Sequence, residues 1–288
     1  MKNQHISHLF WLMMATLFIS TSGSLGRYID MPTPVTIWWR SSLAAVFLGV
    51  FCVLKGIKLN TVAKKDYRSL FLSSIFMGLH WVTYFYALQL SNVAIGMLSL
   101  FTFPMIIAFL EPYFSNVEFD PFHIVLGIMV VIGIYILAPD FDFNDTQLQG
   151  LLWGLFSALC YALRTLLLKK QASRYSGTLI MFYQVMILTI LLGPFMFFLD
   201  GSNIKTQFPY VLLLAVLTTA IGHSLFVRSL GYFKVSTASI IGSIQPIFGI
   251  LIAFVFLNEI PTWNAFWGGF LILTAAIIES TRSKKQIK

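Results

Sequence analysis

The chain has 288 residues, of which 58% are hydrophobic and only 10% are charged, and its mean hydropathy is +0.82. This composition leaves too little polar material to cover a soluble globule of this size, so it predicts an integral membrane protein. The two cysteines, Cys52 and Cys160, lie in apolar segments and indicate neither a disulfide framework nor a metal site.

The apolar segments are long enough for helices that cross a bilayer, which need about 20 residues each. The N-terminal segment has a basic residue and an apolar run but no small-residue cleavage site, so we expect an uncleaved first span. Runs of this length exclude a barrel, whose strands alternate over about ten residues. Ten spans are predicted, at residues 8–25, 34–54, 69–90, 93–114, 122–138, 148–168, 178–199, 209–230, 235–257 and 262–278.

Basic residues are distributed unevenly between the two sides of these spans. A cytoplasmic N-terminus leaves only Arg27 and Lys205 in outer segments. The inner segments then hold fourteen basic residues, which are Lys2, Lys55, Lys58, Lys64, Lys65, Arg68, Lys169, Lys170, Arg174, Lys234, Arg282, Lys284, Lys285 and Lys288. By the positive-inside rule, both termini are expected in the cytoplasm. The formal net charge of +8 follows from this topology and does not indicate a nucleic-acid partner.

Two segments about 140 residues apart share a series of landmarks. Val93–Glu118 and Val235–Glu259 each carry a proline eleven positions after the opening valine, Pro104 and Pro246, before the closing acid. In both copies another proline and then a glycine follow the acid. Four landmarks in the same order indicate an internal duplication.

The duplication divides the chain into residues 1–140 and residues 146–288, with five predicted spans in each half. Because five is odd, the second half enters the membrane from the opposite face, and the halves are expected to be inverted repeats. Such repeats are typical of alternating access, since the same two packings can be exchanged to open either side. The predicted fold is therefore an all-α membrane protein of ten helices in two inverted five-helix repeats around a central cavity.

The residues also resemble a known family. The five-plus-five arrangement, the segment IWWRSSLAAVFLG with its early arginine, and the small-residue helix that ends in proline and then glutamate look like the EamA branch of the drug/metabolite transporter superfamily. The resemblance covers the chain from about Leu9 to Ile278. It implies a cavity lined by spans one to four and six to nine, and export of amino acids or related metabolites.

Polar side chains inside the spans are candidates for substrate contact. Arg40 is expected about 9 Å below the outer boundary at 1.5 Å per residue, and aligning IWWRSS with MFYQVM places Gln184 at the repeat-related position. His80 and His223 lie at similar depth, although a membrane histidine can also serve only as a packed hydrogen-bonding residue. We expect a substrate site formed by Arg40, His80, Trp81, Tyr84, Thr102, Tyr161, Tyr183, Gln184, His223, Ser243 and Gln245.

Pro104 and Pro246 are expected to kink their helices, because each lacks the N–H that would bond to the carbonyl four residues earlier. Three charged residues, Glu111, Arg164 and Arg228, fall toward the cytoplasmic ends of their spans. Opposite charges in such surroundings stabilise one another, so these three could form an inner gate; snorkelling to the inner surface is the alternative.

These observations favour a non-enzymatic exporter of small amphipathic metabolites in the bacterial inner membrane. The alternative within the class is an importer or exchanger of small anionic or phosphorylated metabolites. A membrane enzyme would require a cluster of catalytic or metal-binding residues, and a sensor or scaffold would usually carry a soluble domain; the spans and loops offer neither. We expect the lipid bilayer and a small-molecule substrate as partners, no cofactor and no metal, and a monomer would suffice.

Overall fold

The computed structural model describes residues 2–59, 61–114, 118–138, 142–172, 174–229 and 241–286, and it is all-α within these ranges. A short 3-10 turn, Lys64–Asp66, precedes α3, and a π-helical segment, Leu214–His223, joins α10 to α11. The helices are α1 (Lys2–Tyr28), α2 (Thr33–Leu54), α3 (Tyr67–Leu90), α4 (Val93–Leu100), α5 (Phe103–Phe114), α6 (Phe122–Leu137), α7 (Thr146–Ala172), α8 (Gly177–Leu192), α9 (Phe195–Phe198), α10 (Ile204–Leu213), α11 (Ser224–Ser229), α12 (Gln245–Leu257) and α13 (Trp263–Gln286).

Helix occupies the described part of every predicted span. Seven helical stretches are at least 18 residues long and apolar enough to cross a membrane. Three further apolar helices are shorter, namely Phe122–Leu137, Gln245–Leu257 and Trp263–Glu279. The first part of predicted span nine, before Ile241, lies outside the described residues.

The helices that carry Pro104 and Pro246 are interrupted, where the sequence predicted only a kink. The first break is a turn at Phe101 and Thr102, after which α5 begins with Pro104 as its second residue. The second break is a turn at Ser243 and Ile244, after which α12 begins with Pro246 as its second residue. A proline is well tolerated in the first turn of a helix, where its missing N–H would have no partner. The two breaks therefore occur at the same distance from their prolines.

A tight hairpin at Ser91 and Asn92 joins α3 to α4. The side chain of Asn92 caps α4, because its Oδ1 accepts a hydrogen bond of 2.9 Å from the backbone N of Ile95. Ser91 Oγ donates to the carbonyl of Ala87 at the end of α3. The polar side chains of the loop thus satisfy the backbone groups that the two helix ends leave open.

The main hydrophobic core lies where the two halves of the chain meet. In this interior α3 packs against α7 and α2 against α8, while α1 packs against α12 and the π-helical segment. One face of α3 lies in the core, since four residues that share it by helical spacing are at most 3% exposed: Met77, Trp81, Tyr84 and Leu88. The polar side chains of Ser73, His80 and Thr83 on this helix are also buried.

Helices α6 and α13 pack against each other and cross at two glycines. A Cβ atom on Gly268 would lie 2.6 Å from the carbonyl oxygen of Gly133, and one on Gly133 would lie 2.9 Å from the carbonyl oxygen of Gly268. These distances are shorter than van der Waals contact, so a side chain at either position would force the helices apart. Small residues permit this close approach, a common basis of helix association in membranes.

Candidate functional site

Arg40 lies in the protein interior, on the part of α2 that faces α3 and the π-helical segment. Its side chain is only 1% exposed, and its Nε donates a hydrogen bond of 2.8 Å to Thr219 Oγ1. The guanidinium carbon lies 3.8 Å from the centre of the Trp81 ring and 5.8 Å from that of Phe85. Attraction between the cation and the ring face holds the guanidinium, and burial in a desolvated site strengthens this interaction.

The π-helical segment presents Thr219 and His223 to this group. Thr219 Oγ1 accepts from Arg40 and lies 3.3 Å from the carbonyl of Leu214, five residues earlier, to which it donates. The His223 ring lies 6.2 Å from the Trp81 ring, between their centres. π-helical turns are uncommon and occur frequently at functional sites, because they shift side chains out of the usual helical register.

A second group surrounds His80, one residue before Trp81 on α3. Ser157 Oγ donates to the backbone carbonyl of His80 at 2.9 Å, and the same oxygen lies 2.7 Å from His80 Nδ1. With the serine proton directed at this carbonyl, we assign Nδ1 as the donor in this contact, which leaves the lone pair of the neutral ring on Nε2. The Tyr161 ring lies 4.8 Å from the His80 ring.

Arg164 extends this second group toward α8. Its Nη2 donates a hydrogen bond of 2.8 Å to Gln184 Oε1, and Gln184 Nε2 donates one of 3.2 Å to Ser73 Oγ. The guanidinium carbon lies 5.7 Å from the centre of the Tyr161 ring. Gln184 is fully buried, so its amide holds the arginine in a fixed place within the bundle.

Tyr84 connects the two groups, because its ring lies 6.0 Å from the His80 ring and it interacts electrostatically with Arg40. The charges of Arg40 and Arg164 both act electrostatically on His80 and on His223. Among the described residues, no carboxylate oxygen lies within 4.0 Å of either guanidinium. The arrangement is a buried aromatic and cationic site with no acidic partner in that part of the chain, suited to an anionic group on a ligand with an apolar part.

The structure brings together seven of the residues that the sequence selected as a substrate site: Arg40, His80, Trp81, Tyr84, Tyr161, Gln184 and His223. The other four are Tyr183, Thr102, Ser243 and Gln245. The hydroxyl of Tyr183 donates to the carbonyl of Leu59, in the loop that follows α2. Thr102, Ser243 and Gln245 lie at the two helix breaks, where Thr102 Oγ1 donates to the carbonyl of Ser99 in its own turn.

Two of the three residues predicted as an inner gate, Arg164 and Glu111, have different partners. Arg164 contacts Gln184, as described above, and not Glu111. The carboxylate of Glu111 instead forms an ion pair with Lys169 of α7. The side chain of Arg228 lies outside the described part of the structure. Glu111 pairs with Lys169 and not with Arg164 because α7 brings Lys169 beside the end of α5.

Three site residues escaped the sequence analysis: Ser73, Ser157 and Thr219. Helical spacing could have identified the two serines, because Ser157, Tyr161 and Arg164 lie on one face of α7, and Ser73 and His80 on one face of α3. Thr219 precedes His223 by four residues, but the π-helical turn changes which residues share a face. No group of three or more potential metal ligands occurs within the described ranges.

Residues 6–138 and again residues 148–281 match the EamA-like transporter family. The chain is 24% identical to the uncharacterized transporter YxxF of Bacillus subtilis (strain 168), covering 87% of this chain and 82% of that protein. It is 22% identical to the pseudopaline exporter CntI of Pseudomonas aeruginosa (strain UCBPP-PA14), over 88% of each chain.

A third relative, an S-adenosylmethionine uptake transporter of Rickettsia felis (strain ATCC VR-1525 / URRWXCal2), is 28% identical over 43% of this chain and 42% of its own length. A solved crystal structure shares the fold with a TM-score of 0.67 and 15% identity, covering 98% of this chain and 99% of the other. Because the two family matches together span most of the sequence, the protein belongs to the EamA-like transporter family and is a multi-pass membrane transporter.

Proposed function

We propose that the protein exports small amphipathic metabolites, amino acids or related compounds, by alternating access across the bacterial plasma membrane. The observation that carries this proposal is Arg40, a guanidinium that is 1% exposed and has no carboxylate partner among the described residues. A guanidinium binds a carboxylate through two parallel hydrogen bonds, and the surrounding aromatic rings suit an apolar tail. We assign the protein no enzymatic role.

The proposed architecture is ten spans in two inverted repeats, residues 1–140 and 146–288. The helix contacts support it, since two sets of contacts between the halves correspond when the halves are exchanged. Helix α1 of the first half packs on the π-helical segment and on α12 of the second half. With the halves exchanged, α7 of the second half packs on α3 and on the α4–α5 pair of the first half. The helix breaks before Pro104 and Pro246, in the same register, support the same symmetry. Two such halves can exchange packings and open the central site to either side.

The proposed orientation has both termini in the cytoplasm, because fourteen basic residues then lie on the inner side. Export is supported by the likeness to the pseudopaline exporter, which spans 88% of both chains. The likeness to uptake transporters of S-adenosylmethionine spans less than half of this chain and supports import as the second direction. A transport measurement therefore has to distinguish export from import.

The test compares metabolites inside and outside cells with and without overexpression of the protein. We expect the wild type to raise extracellular amino acids, and Arg40→Gln to reduce this effect although it accumulates normally in the membrane. Arg68→Gln, the same chemical change at an exposed position, is the control. Accumulation inside the cells would make the protein an importer. An unchanged amino-acid distribution, with wild-type protein present in the membrane, would refute the proposed substrate class.

A further inference from the structure

Arg164 places a second cation beside the site, against the residue that the internal repeat relates to Arg40. The register that aligns IWWRSS with MFYQVM makes Gln184 the counterpart of Arg40. In the structure the Gln184 amide accepts its hydrogen bond from Arg164 Nη2. Each half therefore has a guanidinium at this place. In the first half it belongs to Arg40, and in the second half it belongs to Arg164, which is hydrogen-bonded to Gln184.

The described acidic residues do not neutralise these two guanidinium groups. The acids that form ion pairs do so elsewhere, at the ends of the helices: Glu259 with Arg27, Glu111 with Lys169, Asp66 with Arg174 and Asp120 with Arg282. Two cations at one desolvated site repel each other and lose their hydration. Such a site is complementary to two negative groups on a ligand.

Both arginines also keep hydrogen-bond donors unused. Only one of the five N–H groups of Arg40, that of Nε, has a hydrogen-bond partner among the described residues. The Nε of Arg164 is buried and has none there either. Buried donors are normally paired, so these groups are available to the acceptor atoms of a ligand. Carboxylates supply two acceptor oxygens each and match the planar guanidinium.

The residues between the two arginines are aromatic and uncharged acceptors. Trp81 contacts Arg40, and Tyr161 lies next to Arg164 and His80. The lone pair on His80 Nε2 can accept a hydrogen bond from an ammonium group, since Nδ1 is the donor to Ser157. Aromatic rings thus lie against both cations, and the His80 acceptor lies beside the ring that contacts Arg164.

We infer that the substrates carry two carboxylates, as in an amino dicarboxylic acid, with one carboxylate on Arg40 and the other on Arg164. This inference rests on the proposed function, because it assigns a substrate class to the same central site. An amino dicarboxylic acid has only one net negative charge when its ammonium is protonated, and it has an apolar stem between its acidic groups. Gln184 is then a positioning residue, which holds Arg164 toward the site.

The test is a binding measurement on the purified full-length protein with glutamate and glutamine, which have almost the same size and differ by one carboxylate. The wild type should bind glutamate about ten- to a hundredfold more tightly, the range for one charged hydrogen-bonded pair. Arg164→Gln should remove this preference by weakening glutamate binding while glutamine affinity stays the same. A series of dicarboxylates of increasing length, from aspartate to 2-aminoadipate, reports the spacing of the two arginines.

A second variant covers the case in which Arg164→Gln does not fold. Gln184→Glu is almost isosteric and places a carboxylate on Arg164, so it should also remove the preference for glutamate, and it should not lower the melting temperature. Arg68→Gln serves as the control and should bind both amino acids like the wild type. A merely structural role for Arg164 predicts that both ligands weaken equally in the two variants.

Equal binding of glutamate and glutamine by the wild type, or equal weakening of both by the variants, would overturn the two-carboxylate inference and leave the proposed function standing. A folded wild-type protein that binds neither amino acid would instead overturn the proposed amino-acid substrate, and the inference with it.

Discussion

The Nε atom of Arg27, at the end of α1, lies 3.1 Å from Oε1 of Glu259, which follows α12. The other oxygen of Glu259 accepts a hydrogen bond of 2.8 Å from the backbone N of Val93, the first residue of α4. Arg27 Nη1 also donates to the carbonyl of Gln89, near the end of α3, at 2.8 Å. One ion pair therefore ties α1, α12 and the α3–α4 hairpin together, at the end of the bundle that the proposed orientation places outside.

Glu259→Gln should favour opening of this end with little loss of stability. The pair is partly exposed, with side-chain exposures of 37% and 22%, so its contribution to unfolding is about 1 kcal/mol or less. Ile250 lines a cleft beside the pair, and a single cysteine there should react faster with a thiol reagent in the variant. Glu118→Gln, which changes an exposed acid, is the control. Equal labelling rates would show that the pair does not hold this end closed.

Gly268→Ala should destabilise the protein by about 1–3 kcal/mol, the usual cost of overpacking. The new Cβ would lie 2.6 Å from the backbone oxygen of Gly133, and a backbone atom can move only with its helix. The melting temperature in detergent measures this change. Gly201→Ala is the matched control, since its Cβ would meet Val35 at an ordinary 3.4 Å. A melting temperature for Gly268→Ala equal to that of the control would contradict the close crossing of α6 and α13.

Arg282→Gln should lower stability at neutral pH and lose this effect in acid. The hydrogen bond from Arg282, followed by that from the backbone N of Phe122, lowers the pKa of Asp120 below its ordinary value of 3.8. A lowered carboxyl pKa stabilises the folded state above the ordinary pKa, and this stability is lost as pH falls through the folded pKa. His123 and Glu279 lie nearby but are present in both proteins.

Thermal melting between about pH 3 and pH 7 measures this difference. The difference in melting temperature between wild type and Arg282→Gln should be largest above the ordinary pKa of Asp120 and should decrease below it. Arg68→Gln should show no gap that changes with pH. A gap of constant size for Arg282→Gln would mean that Arg282 acts through its contact with the Phe122 ring, 3.9 Å away, rather than through Asp120.

Cysteine labelling in intact cells should place the loop before α7 outside and the C-terminal end inside. In a background without Cys52 and Cys160, an impermeant thiol reagent should label Asn144→Cys in intact cells. It should label Ser283→Cys only after lysis, because fourteen basic residues favour a cytoplasmic location for that side. The opposite pattern would overturn the proposed topology and the orientation of the two halves together.

The sequence alone placed Arg40 and Trp81 in one site, but it did not identify Phe85 or Thr219 beside the arginine. Trp81 and Tyr84 were predictable because they share a helical face with Met77 and Leu88, and this face is buried. Tyr183 was expected beside Gln184 but lies at the Leu59 carbonyl. Neighbouring residues on a helix point about 100° apart, and here this turn carries the Tyr183 hydroxyl to the loop that follows α2.

The hydrophobic runs determined the helices, since length and composition suffice to specify a segment that satisfies its own backbone in a bilayer. The prolines likewise marked both helix breaks, because a missing N–H acts locally. Only the tertiary structure decided that Arg164 joins Gln184 while Glu111 joins Lys169. Counting residues gives the depth of a Cα atom, but a long arginine side chain reaches beyond that depth. Its partner depends on how α7 and α8 pack, which no local pattern specifies.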